Sequence, residues 1–145
     1  YRRENPEFDL LFAFYEDLGR ALALKCRWRE RAGEAVQKND REAAASLADF
    51  VPDMMESMRA LKNRWRELWF CTNKPYGFEI LDGRLGGILA RMESAQWRME
   101  AFAAGELDTI EELAEKKLPF FPNENGVPGR CDRWDKIISA SRVLL

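Results

Sequence analysis

The sequence predicts an all-α domain: an elongated three-helix up-down-up bundle with additional short helices toward the C-terminus. Three observations carry this. Apolar residues recur at intervals of three and four in three long stretches. No stretch alternates apolar and polar residues for long, so no strand is signalled. The 145 residues, 46% hydrophobic and 33% charged, suffice for one domain with its own core and a well-solvated surface. The chain therefore reads as a single helical domain over 1–145, with a main bundle over 1–118, then a connector and final helix over 119–145.

The first helix is predicted to open at Asn5-Pro6, an N-cap followed by a proline that fits the first turn. Leu11, Phe14, Leu18 and Leu22 form its apolar stripe, and Phe8, Phe12 and Tyr15 widen it. Glu7 and Asp9 near its start, and Lys25, Arg27, Arg29 and Arg31 further on, suit the macrodipole. The helix is expected to run on until residues 33–39. The pattern Asn39-Asp40-Arg41-Glu42 resembles a capping box, with Asn39 as the cap of a second helix. There Leu47, Val51, Met54, Met58, Leu61, Trp65, Leu68 and Thr72 keep strict heptad spacing. Pro52 lies inside the run. It lacks an N–H and crowds the preceding turn, so a kink or break is expected at 48–52. Asn73-Lys74-Pro75 ends the helix.

The third helix, 77–104, carries Phe78, Leu81, Leu85, Ile88, Met92, Ala95, Met99 and Phe102 on one face, and Gly105 stops it. A short helix follows, capped by Asp108-x-x-Glu111 and closed by Lys116-Lys117. Residues 118–131, with three prolines and two glycines, read as a connector. Asp132 caps a final helix through Trp134, Ile137, Ile138 and Leu145.

Composition narrows the chemistry. The chain has no histidine, which removes imidazole bases, Ser/His and Cys/His nucleophile systems and most transition-metal sites. Its three cysteines, Cys26, Cys71 and Cys131, are far apart and odd in number. They suit a reducing compartment better than a disulfide framework. A net charge of −2 gives no field to hold nucleic acid or an anionic membrane, and no run of 18 apolar residues is present. No cofactor is implied. The first residue is Tyr1, so the chain is expected to be a piece of a longer protein.

Four glycines, Gly77, Gly83, Gly86 and Gly87, fall within eleven residues. A phosphate loop needs them between a strand and a helix N-terminus, whereas Gly83, Gly86 and Gly87 lie inside a helical period. Each helical glycine costs about 1 kcal/mol relative to alanine, so close approach of a neighbour is the offset to look for. That neighbour is either another helix of the bundle or another domain or subunit. Gly83 and Gly87 share a face, and Arg84 and Arg91, seven apart, stand ready to meet carboxylates there. Trp65 occupies a heptad position, and Trp28 and Trp134 lie on apolar stripes. Trp69 and Trp97 fall off the stripes and are interface candidates, as is Tyr76. Glu111, Glu112 and Glu115 read as a solvated face, and the Glu-x-x-His motif of a di-metal bundle is missing. In the run 119–122, Phe120 and Phe121 either fold over the bundle end or dock on a neighbour.

The strings Asn63-Arg-Trp-Arg-Glu-Leu-Trp, Asn73-Lys-Pro-Tyr-Gly-Phe-Glu, Leu81-Asp-Gly-Arg-Leu-Gly-Gly, Arg91-Met-Glu-Ser-Ala and Glu111-Glu-Leu follow one another in order. Together they resemble the C-terminal helical domain of bacterial glycoside hydrolase family 20 enzymes, the β-N-acetylhexosaminidases. The similarity is sharpest over 63–113, and Gly83 stands where a larger residue is expected. The resemblance implies a non-catalytic accessory domain that packs on a catalytic TIM barrel of the same polypeptide, or on a second subunit, in the bacterial cytoplasm. In such enzymes the substrate's own acetamido group is the nucleophile and an Asp-Glu pair assists it. That pair belongs to the barrel, so no catalytic residue carries over to this chain. A free-standing helical adapter and a carbohydrate-binding module using Trp69, Tyr76 or Trp97 are the alternative readings.

Overall fold

The computed structural model describes residues 5–114. Among them every regular element is helical. A 3-10 turn, Pro6–Phe8, leads into α1 (Asp9–Lys25), followed by α2 (Trp28–Gln37), α3 (Arg41–Asp49), α4 (Val51–Thr72), α5 (Phe78–Ala104) and α6 (Glu111–Ala114). The predicted connector and final helix of 119–145, with Cys131 and Trp134, lie outside the described residues.

Pairings of side chains give the topology. α1 runs antiparallel to α4: the Phe14 ring meets Trp65 edge-on at 5.4 Å, and Asp17 meets Arg64 at 3.3 Å. α5 returns along α4 and then α3. Phe78 stacks near Phe70 at one end, Met92 joins Val51 and Met54 in the middle, and Phe102 joins Ala44 and Leu47 at the other end. α2 lies on α3, and α6 on α2. The bundle thus consists of three antiparallel rods, of which the first (α1, α2) and the second (α3, α4) are each in two pieces.

The break in the second rod falls where Pro52 predicts it. α3 ends at Asp49, Phe50 intervenes, and Pro52 lies in the first turn of α4, where its missing N–H leaves no helical bond unmade. Leu47, Val51, Met54, Met58 and Leu61 stay buried across the break, so the heptad face survives it. The first rod departs from expectation. Instead of one helix reaching 33–39, α1 stops at Lys25 and α2 restarts at Trp28, with Arg27 at φ −120° between them. The cause is tertiary. The Trp28 indole packs between two core clusters and donates its Nε1–H to the Leu47 carbonyl at 3.0 Å. The new direction lets α2 bury Ala32, Ala35 and Val36 in the cluster with α3, while Gly33 is buried facing the Leu113 carbonyl of α6. On α1 the buried residues are Ala13 and Ala21, flanked by Phe14 and Leu18, while Leu22 of the predicted stripe is 57% exposed.

The helix ends are capped by local chemistry. Asp40, not Asn39, is the cap of α3; its carboxylate accepts from the Ala43 N–H at 2.9 Å. Asn39 is consumed by the end of α2. It adopts φ +52°, its N–H reaches the Val36 carbonyl at 3.1 Å, and the Asp40 N–H reaches Ala35 at 2.8 Å, which is a Schellman closure. α5 ends the same way at Gly105, φ +83°, with Glu106 N–H on the Ala101 carbonyl at 2.9 Å. The Arg41 guanidinium then donates to the Phe102 carbonyl and, at 3.2 Å, to that of Leu107, and sits 4.6 Å from the centre of the Phe102 ring.

The core has two clusters. One gathers Ala32, Ala44, Leu47, Met99, Phe102 and Ile110; the other gathers Ala21, Val51, Leu61, Leu85 and four methionines, Met54, Met55, Met58 and Met92. All five methionines of the chain are buried. Two substitutions test this account by urea unfolding. Asp40→Ala removes a cap and should lower stability by about 1 kcal/mol, and Phe102→Ala, at a fully buried ring, by about 3–5 kcal/mol. If Asp40→Ala is neutral, the assigned cap is incorrect.

Candidate functional site

Two features of the described surface are large enough to engage another body. The first is a groove of about 940 Å³ along the middle of α5. Its floor is apolar, made by Val51 and Met54 of α4 with Ile88, Met92 and Met99 of α5. Gly83, Arg84, Gly87 and Arg91 form one lip; Lys25, Trp28 and Arg29 stand across from it; Ile110, Glu112 and Leu113 close one end. Along this stretch of α5, Gly83 and Gly87 add no side chain beside Ile88 and Met92, which leaves the groove open there.

Among the described residues, none approaches Gly86 or Gly87. A Cβ built on Gly86 or on Gly87 meets no described atom within 4 Å. Packing of a second helix of the bundle against Gly87, one of the two expectations for these residues, is therefore not provided by any described residue. Gly83 is half-buried and lines the same groove.

Charged side chains fix the closed end. Arg98 of α5 pairs with Glu112 at 2.9 Å and Glu111 at 3.4 Å, and Arg29 of α2 donates to the Glu112 carbonyl at 3.2 Å. These contacts hold the short α6 against two longer helices. Arg84 is half-buried on the wall, Arg91 is exposed at the lip, and Trp97 is 65% exposed beside them. Opposite charges do occur along α5, but they face α4: Lys62 meets Asp82 at 3.0 Å and Arg59 meets Glu93 at 3.9 Å.

The second feature is the aromatic end formed by the α4–α5 turn. The Trp69 indole N–H donates to the Lys74 carbonyl at 2.9 Å, and its ring lies 6.0 Å from Phe78. Gly77 adopts φ +95°, and a Cβ there would sit 3.5 Å from the Trp69 ring, so glycine is required on both counts. The Gly77 N–H donates to the Glu79 carboxylate at 2.8 Å. Around this closed turn Tyr76 is 85% exposed, and Phe70 and Ile80 are also exposed. Phe8 and Tyr15 stand exposed on the adjoining end of α1.

The residues singled out from sequence thus separate. Gly83, Arg84, Gly87, Arg91 and Trp97 meet on the groove; Trp69 and Tyr76 meet on the aromatic end; Phe120 and Phe121 lie outside the described residues. Phe70, Phe8, Tyr15 and Ile80 were not legible as surface residues. Phe70 and Ile80 carry a usable signal, since both fall off the apolar stripes of their helices. Among the described residues no group of histidine, cysteine or carboxylate side chains is placed to hold a metal ion. Cys26 and Cys71 are exposed thiols. No described helix is long and apolar enough to cross a membrane.

Comparison with known proteins adds one match. The family model for the glycoside hydrolase 20C C-terminal domain matches residues 1–132. A search of curated proteins finds no match.

The open space at Gly86 has a direct consequence. Gly86→Ala adds a methyl that meets nothing described and removes backbone freedom from the unfolded chain. It should raise stability by about 0.5–1 kcal/mol in thermal or urea unfolding. A loss of stability instead would show that a neighbour touches that face.

Proposed function

The chain belongs to the family of glycoside hydrolase 20C C-terminal domains, and from that membership we propose that it is the non-catalytic helical domain of a β-N-acetylhexosaminidase, seated on the catalytic barrel of the same polypeptide. The aromatic end carries this reading. α1 runs antiparallel to α4 through the Phe14–Trp65 and Asp17–Arg64 contacts, so the start of α1 lies toward the end of α4 that exposes Phe70, Tyr76 and Ile80. Exposed aromatic residues clustered on a rigid turn are the kind of surface that a docked neighbour covers. The Trp69 hydrogen bond to Lys74 and the glycine at 77 hold that turn in one shape, so Tyr76 and Phe70 are presented without ordering cost.

The domain's role in this reading is mechanical. It braces the barrel and supplies a surface on which a second subunit can dock, while the chemistry stays with the barrel's carboxylates. Exposed Cys26 and Cys71 support a reducing compartment such as the bacterial cytoplasm. Neither nucleic acid nor a membrane is assigned as a partner.

The test uses the intact enzyme and the present chain side by side. Charging the surface by Phe70→Glu together with Tyr76→Glu should speed protease cleavage at the junction ahead of the domain about tenfold and lower the melting temperature of the enzyme. The same pair in the present chain should lower stability by no more than about 1.5 kcal/mol, the loss of the Phe70–Phe78 ring contact, since Tyr76 is exposed and Phe70 half exposed. An enzyme indifferent to the pair would rule out this end as the barrel contact. A separate titration of N-acetylglucosamine against tryptophan fluorescence should show no saturable change. Saturation at millimolar sugar would favour a carbohydrate-binding module instead.

A further inference from the structure

We propose that the outer side of α1 is a self-association surface, along which a second copy of the chain lays its own α1 antiparallel. The proposal rests on the part of the reading above that gives the domain a surface for a second subunit, and it names that surface. The barrel contact at Phe70 and Tyr76 is a separate one.

α1 is apolar on two opposite sides. Phe14, Leu18 and Ala21 join the core with α4. Half a turn away, Phe8, Phe12, Tyr15, Gly19, Leu22 and Cys26 step by 4, 3, 4, 3 and 4, the seam spacing of paired helices. Phe8 and Cys26 stand at the two ends of the helix. No described element covers this seam. Phe8 is 49%, Tyr15 59% and Leu22 57% exposed, Cys26 is an exposed thiol, and a Cβ built on Gly19 meets no described atom within 4 Å. The Tyr15 ring is held edge-on by Phe14 at 5.2 Å, so it is presented in one position.

Size and charge select the occupant. Antiparallel pairing about the level of Asp17 sets Tyr15 of one copy over Gly19 of the other, Phe12 against Leu22, and Phe8 against Cys26. Large meets small at the centre, whereas a parallel pair would set Tyr15 on Tyr15 and leave a gap at Gly19. The charges beside the seam favour the same direction. Asp9 and Glu16 flank its first half; Arg20 and Arg27 flank its second half on the same side, and all four are exposed. Reversing the second helix brings Asp9 toward Arg27 and Glu16 toward Arg20, while a parallel pair juxtaposes like charges. Arg27 pairs with Glu30 of its own chain at 3.8 Å, an exposed contact that exchanges at little cost. The surface is therefore its own complement in bulk and in charge, which singles out a copy of the same chain as its partner. α1 has 17 residues and spans about 25 Å. One helix pair of that length covers less than the roughly 800 Å² per partner of a standard interface, so the dissociation constant is on the order of 10–100 µM.

Sedimentation equilibrium of the 145-residue chain under reducing conditions, from about 5 to 500 µM, brackets that constant and should show monomer and dimer in exchange. Gly19→Leu fills the place of the incoming Tyr15 and should weaken the dimer at least about tenfold while the melting temperature holds. If Gly19→Leu also melts lower, Leu22→Lys at an exposed position takes its place. Direction is tested by two charge variants, Asp9→Lys with Glu16→Lys, and Arg20→Glu with Arg27→Glu. Each alone should stay monomeric, and an equimolar mixture should regain the dimer. A chain that is monomeric throughout overturns the proposal, as does a dimer untouched by Gly19→Leu and Leu22→Lys, or a mixture no tighter than its components. Phe70→Glu with Tyr76→Glu should leave the dimer unchanged; its loss there would move self-association to the aromatic end and overturn the assignment to α1.

Discussion

One hydrogen bond, from the Trp28 indole to the Leu47 carbonyl, sits where the two broken rods meet. Both breaks lie at one level of the bundle, and each creates last-turn carbonyls with no donor further along the same helix. Trp28 answers one of these and packs its ring between the two core clusters. One half packs α2 with α3 and the end of α5, the other packs α1 with α4 and the start of α5, and Trp28 touches the core of both. The remaining features follow. α2 turns its alanines onto α3, α6 finds a place on α2, and the space beside α5 opens between the first rod and α6.

The helical face was legible wherever the determining physics is local. Heptad spacing, the proline at 52 and the glycine at 105 act through the backbone of their own turns, and the structure agrees with each. The break at Cys26-Arg27 was not legible because its cause lies nineteen residues away, at Leu47. Asn39 was misread for a related reason. Its place as a cap requires knowing that α2 has already ended, and the Schellman closure at Val36 and Ala35 uses Asn39 before α3 begins. The glycine cluster was legible as an unusual feature of α5. What the spacing could not convey is that no described residue approaches Gly86 or Gly87, since this depends on how the neighbouring helices pack and not on the glycines' own turns.

The two surfaces divide the labour between ends of the molecule. At one end a rigid turn, braced by Trp69 and by glycine at 77, presents aromatic side chains. Toward the other, a groove is closed off by α6 and its arginine clamps. Both are built from the same long helices, α4 and α5, whose heptad packing holds them in register. α5 runs unbroken from the aromatic end to the groove.

The sulfur content of the core has its own consequence. Every thioether in the chain is buried, four of them in one cluster, and Met54, Met92 and Met99 form part of the groove floor, so peroxide approaches these three from the groove while Met55 and Met58 lie behind them. Conversion to the sulfoxide places a polar oxygen where the packing admits none, and the first such event favours the next by loosening the seam. Oxidation of the groove-lining methionines therefore puts a polar oxygen at the seam between α4 and α5, where the two core clusters meet the open face.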